Sequence, residues 1–182
     1  MTIRRLLPLV FLPALLLPAG CGIEPSNVAD VGRAPVISVE PTLKTVYLLR
    51  GKRLQPTRAY VSSGTVEDVI EALFKASARP PAGLHSELDG FSHADTQISH
   101  YGQPVRNDPE VPTGLRLHVF VRGERHLSRA AVAQVTCTAM LDKSIWVVKI
   151  TELSPDRGPR SRGEHVCSEF RDLAATDTQL PP

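Results

Sequence analysis

The apolar positions of this chain follow two spacings, and each spacing predicts a different kind of secondary structure. From Thr65 to Ala78 they recur every three or four residues, as in a helix with one buried face: Val66, Val69, Ile70, Leu73 and Phe74. Thr65 is suited to cap the first turn of this helix. Pro80 and Pro81 then end it, because proline cannot continue the backbone hydrogen bonding.

A second helix is predicted from Arg129 to Leu141, with Ser128 as its cap. No charged residue lies between Arg129 and Asp142. A helix without a charged face is expected to be buried on most sides.

Strands are predicted where β-forming residues cluster or alternate with polar ones. Lys44 to Arg50 and Arg53 to Val61 form one candidate hairpin around Gly51-Lys52, and Pro56 places the second strand at a sheet edge or at a bend. From Leu115 to Arg122 apolar and polar residues alternate, as in a half-buried strand. Ser144 to Thr151 contains an unbroken apolar run, which predicts a central strand covered on both faces.

The remaining segments are predicted to be less regular. Arg79 to Thr113 is a long polar connection, and Ser154 to Gly163 is a basic loop rich in Pro and Gly. Val166 to Leu173 is expected to form a last short element. Strands and helices thus intermix along the chain, and we predict an α+β fold, a two-layer single domain in which a mixed sheet carries two main helices.

The first residues have the pattern of an export signal. Arg4 and Arg5 precede an uncharged, Leu-rich stretch from Leu6 to Leu17, which is too short to cross a bilayer of about 30 Å as a helix. Small residues, Ala19 and Gly20, come directly before Cys21. We predict a signal peptide over residues 1–20; a secretory signal without lipid is the alternative.

Cys21 is the predicted site of lipidation, since a Cys directly after such a signal is typical of bacterial lipoproteins. Two or three acyl chains would hold the protein stably at the outer, extracytoplasmic face of the cell membrane. Residues 21–43 mix Gly, Pro, Ser and Asn without a sustained period, which predicts a flexible tether that holds the folded domain away from the lipid. The domain is expected over 44–173, followed by a polar tail over 174–182.

The other two cysteines, Cys137 and Cys167, are predicted to form a disulfide, because an even pair in an exported protein most simply pairs. Two thiols or a metal pair are the alternatives, although neither Cys belongs to a C-x-x-C motif.

Charge gives no reason to expect a nucleic-acid partner. The whole chain has a net charge of +2, but removal of Arg4 and Arg5 with the signal lowers the basic count from 21 to 19, which equals the acidic count. We predict no nucleic-acid partner and no cofactor, and the oligomeric state stays open.

One segment invites a more specific hypothesis. Six side chains of metal-binding type lie within sixteen positions: His85, Glu87, Asp89, His93, Asp95 and His100. Their spacing matches no defined metal motif, and a solvated polar loop has the same composition. A divalent metal or small ligand bound by residues 85–100 is therefore the alternative function.

Other catalytic arrangements are weaker. The chain has no G-x-S-x-G motif and no phosphate-binding loop, so an envelope hydrolase is the least favoured class. His118 and His126 are expected to be surface residues beside a strand, and His165 is expected in a loop. The arginines of the basic loop, Arg157, Arg160 and Arg162, could contact anionic envelope polymers or lipid headgroups.

Several motifs in order resemble the GerMN domain of sporulation and spore-germination proteins and of LpqB-type actinobacterial lipoproteins. They are the strand and turn from Thr45 to Leu54, the helix from Val66 to Phe74, the turn from Pro80 to Leu84, and Ala133 to Thr138 before a strand. The resemblance covers about residues 44–151, departs from the family pattern over His85 to Pro112, and does not include the propeller of LpqB-type proteins. It implies a non-enzymatic, extracytoplasmic module that interacts with envelope proteins and has no catalytic residues.

Overall fold

A computed structural model describes residues 41–102 and 114–182 of the chain. It contains six strands, two α-helices and one 3-10 helix over these residues. In chain order they are β1 Thr42–Arg50, β2 Arg53–Val61, α1 Val66–Ala78, β3 Ser92–Tyr101, β4 Gly114–Arg122, α2 Arg129–Ala139, β5 Ile145–Ser154, β6 Gly158–His165 and the 3-10 helix Cys167–Leu173. The signal peptide, Cys21 and most of the tether, all called from sequence, lie outside the described residues.

Both helices begin where the sequence predicts. The hydroxyl of Thr65 accepts a hydrogen bond from the Asp68 amide at 3.3 Å, and that of Ser128 accepts one from the Ala131 amide at 3.1 Å. Each cap satisfies one of the amides that a helix leaves unpaired at its start. Helix α2, which has no charged residue after Arg129, is buried at every position from Ala131 to Ala139, as its composition predicts.

The strands form two sheets, and the predicted α+β class is confirmed. β1 and β2 form an antiparallel ribbon. The other four strands form a mixed sheet in the order β3-β4-β5-β6, in which β4 and β5 are parallel and the outer pairs are antiparallel. Pro56 lies in β2, whose only strand partner in residues 41–102 and 114–182 is β1, in agreement with its predicted edge position. Leu54 of β2 also forms an isolated bridge to Ala174.

Two strands correct the sequence analysis. β3 lies within the connection predicted from Arg79 to Thr113, and β6 occupies much of the predicted basic loop. Both are edge strands with mostly exposed side chains, so neither shows the apolar alternation of a half-buried strand. Their regularity comes from hydrogen bonds to neighbouring strands, β4 for β3 and β5 for β6.

The core lies between the four-stranded sheet, the two helices and the ribbon. Its largest fully buried side chains come from every layer: Leu48, Leu54, Ile70, Leu73, Leu117 and Ile150. Leu180 also packs against this core, so part of the C-terminal segment 174–182 is packed on the domain.

Two buried polar side chains attach α2 to β1. Gln134, with 0% of its surface exposed, donates from Nε2 to the carbonyl of Tyr47 at 3.0 Å. Thr138 accepts a hydrogen bond from the amide of Tyr47 at 2.9 Å. The outer edge of β1 is thus paired with a helix, and further along it Leu49 pairs with His85 through two backbone hydrogen bonds of 2.9 Å.

Cys137 of α2 and Cys167 of the 3-10 helix are joined by a disulfide. The same two elements are linked by Arg129, which donates two 2.8 Å hydrogen bonds to the carboxylate of Asp172. These contacts hold the 3-10 helix, the short element predicted from Val166 to Leu173, against α2.

Candidate functional site

A cleft of about 330 Å³ lies at the end of the four-stranded sheet where the parallel strands β4 and β5 finish and β6 begins. The loop that leads from β4 to the N-terminus of α2 forms one wall, and the β5–β6 hairpin forms the other. The side chains that line the cleft are mainly cationic or polar: Arg125, His126, Glu152, Ser154, Arg157 and Arg160.

The anionic centre of this cleft is Glu152, which is only 5% exposed. One carboxylate oxygen accepts a hydrogen bond from the amide of Leu127 at 2.8 Å, and the other accepts one from Nδ1 of His126 at 2.9 Å. Nε of Arg162 lies 3.4 Å from the carboxylate, within ion-pair distance, but it makes no hydrogen bond to the described residues. Glu152 therefore joins β5 to the loop before α2.

These contacts keep Glu152 ionised. Burial acts to raise the pKa of its carboxyl group. The hydrogen bonds from His126 and from the Leu127 amide, together with the charge of Arg162, outweigh burial and hold the pKa below its usual range.

The ring of His126 is oriented by its neighbours on both sides. Its Nε2 lies 3.2 Å from a terminal nitrogen of Arg160 and 3.4 Å from one of Arg157. A guanidinium group can only donate hydrogen bonds, so hydrogen bonds from the two arginines require Nε2 to accept, which leaves Nδ1 to donate to Glu152. His126 thus connects the buried carboxylate to two exposed arginines.

Two of the arginines, Arg157 and Arg125, donate hydrogen bonds to backbone carbonyl groups. Arg157 donates to the carbonyl of Glu124, and Arg125 donates to that of Asp89. The guanidinium of Arg125 also lies over the ring of Phe91, 5.2 Å from its centroid. These contacts preorganise cationic groups around the cleft before any ligand enters.

The arrangement is suited to bind an anionic group. Guanidinium groups form charge-assisted, often bidentate hydrogen bonds with phosphate and carboxylate. It is poorly suited to general-base catalysis, because the lone pair of His126 Nε2 is directed at two guanidinium groups. Ser154 Oγ is contacted by Nε of Arg157 at 3.4 Å, so it is not paired with the histidine as a nucleophile would be.

Sequence analysis identified the three arginines of the basic segment but missed their partners. Arg157 lies in the hairpin turn, and Arg160 and Arg162 lie on β6 beside Glu152. His126 was expected to be a surface residue and Glu152 was not singled out. The one available signal was an acidic residue at the end of the apolar run of β5.

The six side chains of the His85–His100 segment are not brought together. Glu87 accepts a hydrogen bond from Ser128, His93 contacts the hydroxyl of Thr96 at 2.7 Å, and Asp95 accepts one from Gln97. Within residues 41–102 and 114–182, no three His, Cys, Asp or Glu side chains gather as they would around a metal ion.

The other two singled-out histidines have local partners. His118 is half-buried on β4 and contacts Thr151 at 2.8 Å, and burial, together with the charge of Lys149, lowers the pKa of its ring. His165 contacts Glu169 at 3.0 Å beside the 3-10 helix. Neither lines the cleft.

Comparison with known proteins adds no relative. The chain matches no protein-family model, no curated protein and no solved structure. The resemblance to the GerMN domain and the lipid anchor therefore stay predictions from sequence. In the described part of the chain, the helices are too short or too polar to span a bilayer.

Proposed function

We propose that this protein is a lipid-anchored, extracytoplasmic, non-enzymatic binding module of the cell envelope. The anchor is the acylated Cys21 predicted from the sequence, and the binding site is the arginine-lined cleft. The proposed partner is an anionic group, such as a phosphate or carboxylate carried by an envelope polymer or protein.

One observation carries the binding proposal. His126, oriented by the buried carboxylate of Glu152, lies between Arg157 and Arg160 at the mouth of the cleft. A buried charge requires compensating partners, and the buried carboxylate of Glu152 obtains them from this group of side chains. An incoming anion would supply further acceptors for the guanidinium groups, whose donors exceed the acceptors around them.

Calorimetric titration of the full chain with inorganic phosphate and with polyphosphate tests the cleft. The double variant Arg157→Ala/Arg160→Ala is expected to bind polyphosphate more weakly by about a hundredfold or more, because each of the two arginines loses a charge-assisted hydrogen bond that contributes roughly 1.5 kcal/mol or more. The matched control is Arg50→Ala/Arg79→Ala, which removes the same charge from exposed positions elsewhere. Equal losses in the two variants would show general electrostatic attraction in place of a defined site.

Mass spectrometry of the membrane fraction tests the anchor. The expected species begins at Cys21, carries acyl chains on that residue and lacks residues 1–20. A chain that retains residues 1–20, or a Cys21→Ala variant that stays with the membrane as firmly as the natural chain, would contradict it.

A further inference from the structure

We infer that the end of the domain opposite the cleft is a membrane-docking face, on which exposed aromatic and aliphatic side chains rest in the interface of a lipid bilayer. The face consists of Leu43, Tyr60, Tyr101, Leu141 and Trp146. This inference rests on the proposed lipid anchor, which brings the domain to the bilayer.

The first argument is how exposed apolar side chains are distributed. Six large apolar side chains in the described part of the chain are more than a third exposed, and five of them form this face. Tyr60 is 70% exposed and Trp146 is 43% exposed. Large apolar side chains gathered on one surface indicate an interaction site, whereas scattered ones need no explanation.

Strand pairing and shared cavities place the five residues at one end of the domain. Leu43 and Tyr60 are cross-strand partners in the ribbon. Leu141 lines a cavity of about 370 Å³ together with Lys44, the neighbour of Leu43. These contacts join the start of β1 to the end of α2.

The face continues onto the four-stranded sheet. Tyr101 pairs with Gly114, and the ring of Trp146 lies where a side chain on Gly114 would be, with one ring atom 2.0 Å from the position of its missing Cβ. Trp146 in turn lines a second cavity of about 500 Å³ with Met140 and Lys143, next to Leu141. The five residues therefore lie at the same end of the domain.

Their chemistry fits the bilayer interface better than a dry protein contact. Trp and Tyr are enriched at the headgroup level of membranes, because their rings are apolar and their N–H or O–H groups can reach water. The charged residues that line these two cavities are Lys44, Lys143 and Asp142, so the border of the face carries one more positive than negative charge toward anionic headgroups.

The position of the chain entry is the second, independent argument. Leu43 is the second residue of β1, so the first residues that the structure describes lie at this face. Nineteen residues lie between Cys21 and Pro41, and the twenty steps from one to the other cannot span more than about 70 Å even when extended. A domain confined so close to lipid experiences a high effective concentration of it, which favours docking by a modest face.

Trp146 is the only tryptophan of the chain and reports directly on this face. The experiment places the full, lipidated chain in vesicles of equal phosphatidylcholine and phosphatidylglycerol whose acyl chains are brominated. If the face rests in the interface, bromine is expected to quench about half of the Trp146 emission, and the emission should shift to shorter wavelength.

Two variants and a flotation measurement make the result decisive. Leu43→Ser/Leu141→Ser should still float with the vesicles through its lipid but lose most of the quenching, whereas the control Lys52→Ser, in the turn between β1 and β2, should keep it. A chain that floats without quenching overturns the docking face and leaves the anchor intact. Cys21→Ala floating as well as the natural chain overturns the anchor instead.

Self-association is the remaining outcome that would overturn the inference. If Trp146 emission shifts with protein concentration in the absence of vesicles, and is not quenched by brominated lipid in their presence, the face contacts a second copy of the chain.

Discussion

At the starts of β4 and β5 the exposed side chains are mainly aromatic and aliphatic, whereas at the ends of the same strands they are mainly cationic. Trp146 and Ser154 mark these two ends on β5 and are separated by about 25 Å, given the rise of a strand. The apolar end contains the start of β1, the first strand that the structure describes. The cationic end is the part of the domain farthest along β4 and β5 from it.

The comparison shows how one small domain can separate two kinds of contact. Apolar side chains at the first end are exposed and make few polar contacts, whereas the polar side chains of the second end are linked through hydrogen bonds to the buried Glu152. Substitutions at the first end are therefore expected to change association with lipid more than stability. Substitutions at the second end should change both stability and anion binding.

The largest expected effect on stability comes from the disulfide. Cys137→Ala/Cys167→Ala opens a covalent loop of 30 residues and should lower the free energy of unfolding by roughly 3–4 kcal/mol. Denaturant titration measures it. The bond attaches the 3-10 helix to α2 and does not contact the cleft, so the variant, where folded, should bind polyphosphate with unchanged affinity. A large loss of affinity would mean that the cleft depends on the attachment of the 3-10 helix to α2.

Removal of the buried carboxylate should have the next largest effect. Glu152→Ala leaves the Leu127 amide and His126 without their acceptor, which should cost about 2–3 kcal/mol in unfolding free energy. Anion binding should also weaken, because His126 loses its orientation. Trp146 quenching by brominated lipid should stay the same, and a change there would contradict the independence of the two ends.

Acidification should destabilise the cationic end of the domain because it protonates Glu152. The folded-state pKa of Glu152 lies below the unfolded value of about 4.3, so its contribution is fully present above that pH and is lost as pH falls through the folded pKa. Glu152→Gln should therefore show a shallower loss of stability in acid, measured by thermal unfolding across pH. Glu169→Gln is the comparison variant. Burial acts to raise the pKa of Glu169, and the hydrogen bonds from His165 and the Val166 amide outweigh burial and lower that pKa, as at Glu152.

The smallest effect on stability is expected at the apolar end. Leu141→Ser changes an exposed side chain and should shift the unfolding free energy by less than about 0.5 kcal/mol. Thermal unfolding measures this, and vesicle quenching of Trp146 should fall in the same variant. A destabilisation of several kcal/mol would show that Leu141 is part of the core and not of a contact face.

Sequence patterns predicted the strongly periodic elements, because periodicity is a local signal. They also predicted the disulfide partners, because only two cysteines remain once Cys21 is assigned to lipid. They missed β3 and β6 because edge strands receive their order from a neighbouring strand and bury little apolar surface. The cleft was only half predicted for a related reason. Arg157, Arg160 and Arg162 form a visible basic run, but Glu152 and His126 join them only through the pairing of β5 with β6 and the position of the loop before α2.

The two hydrogen bonds between α2 and β1 have a consequence for how uniquely the domain packs. Gln134 and Thr138 are one helical turn apart, and together they satisfy both backbone groups of a single residue, Tyr47. If the helix slid by one turn along the ribbon, a buried amide and a buried carbonyl would lose their partners at once. An apolar pair at these positions could keep the layers together and still permit such a slip, so these polar side chains fix one alignment among several that hydrophobic burial alone would allow.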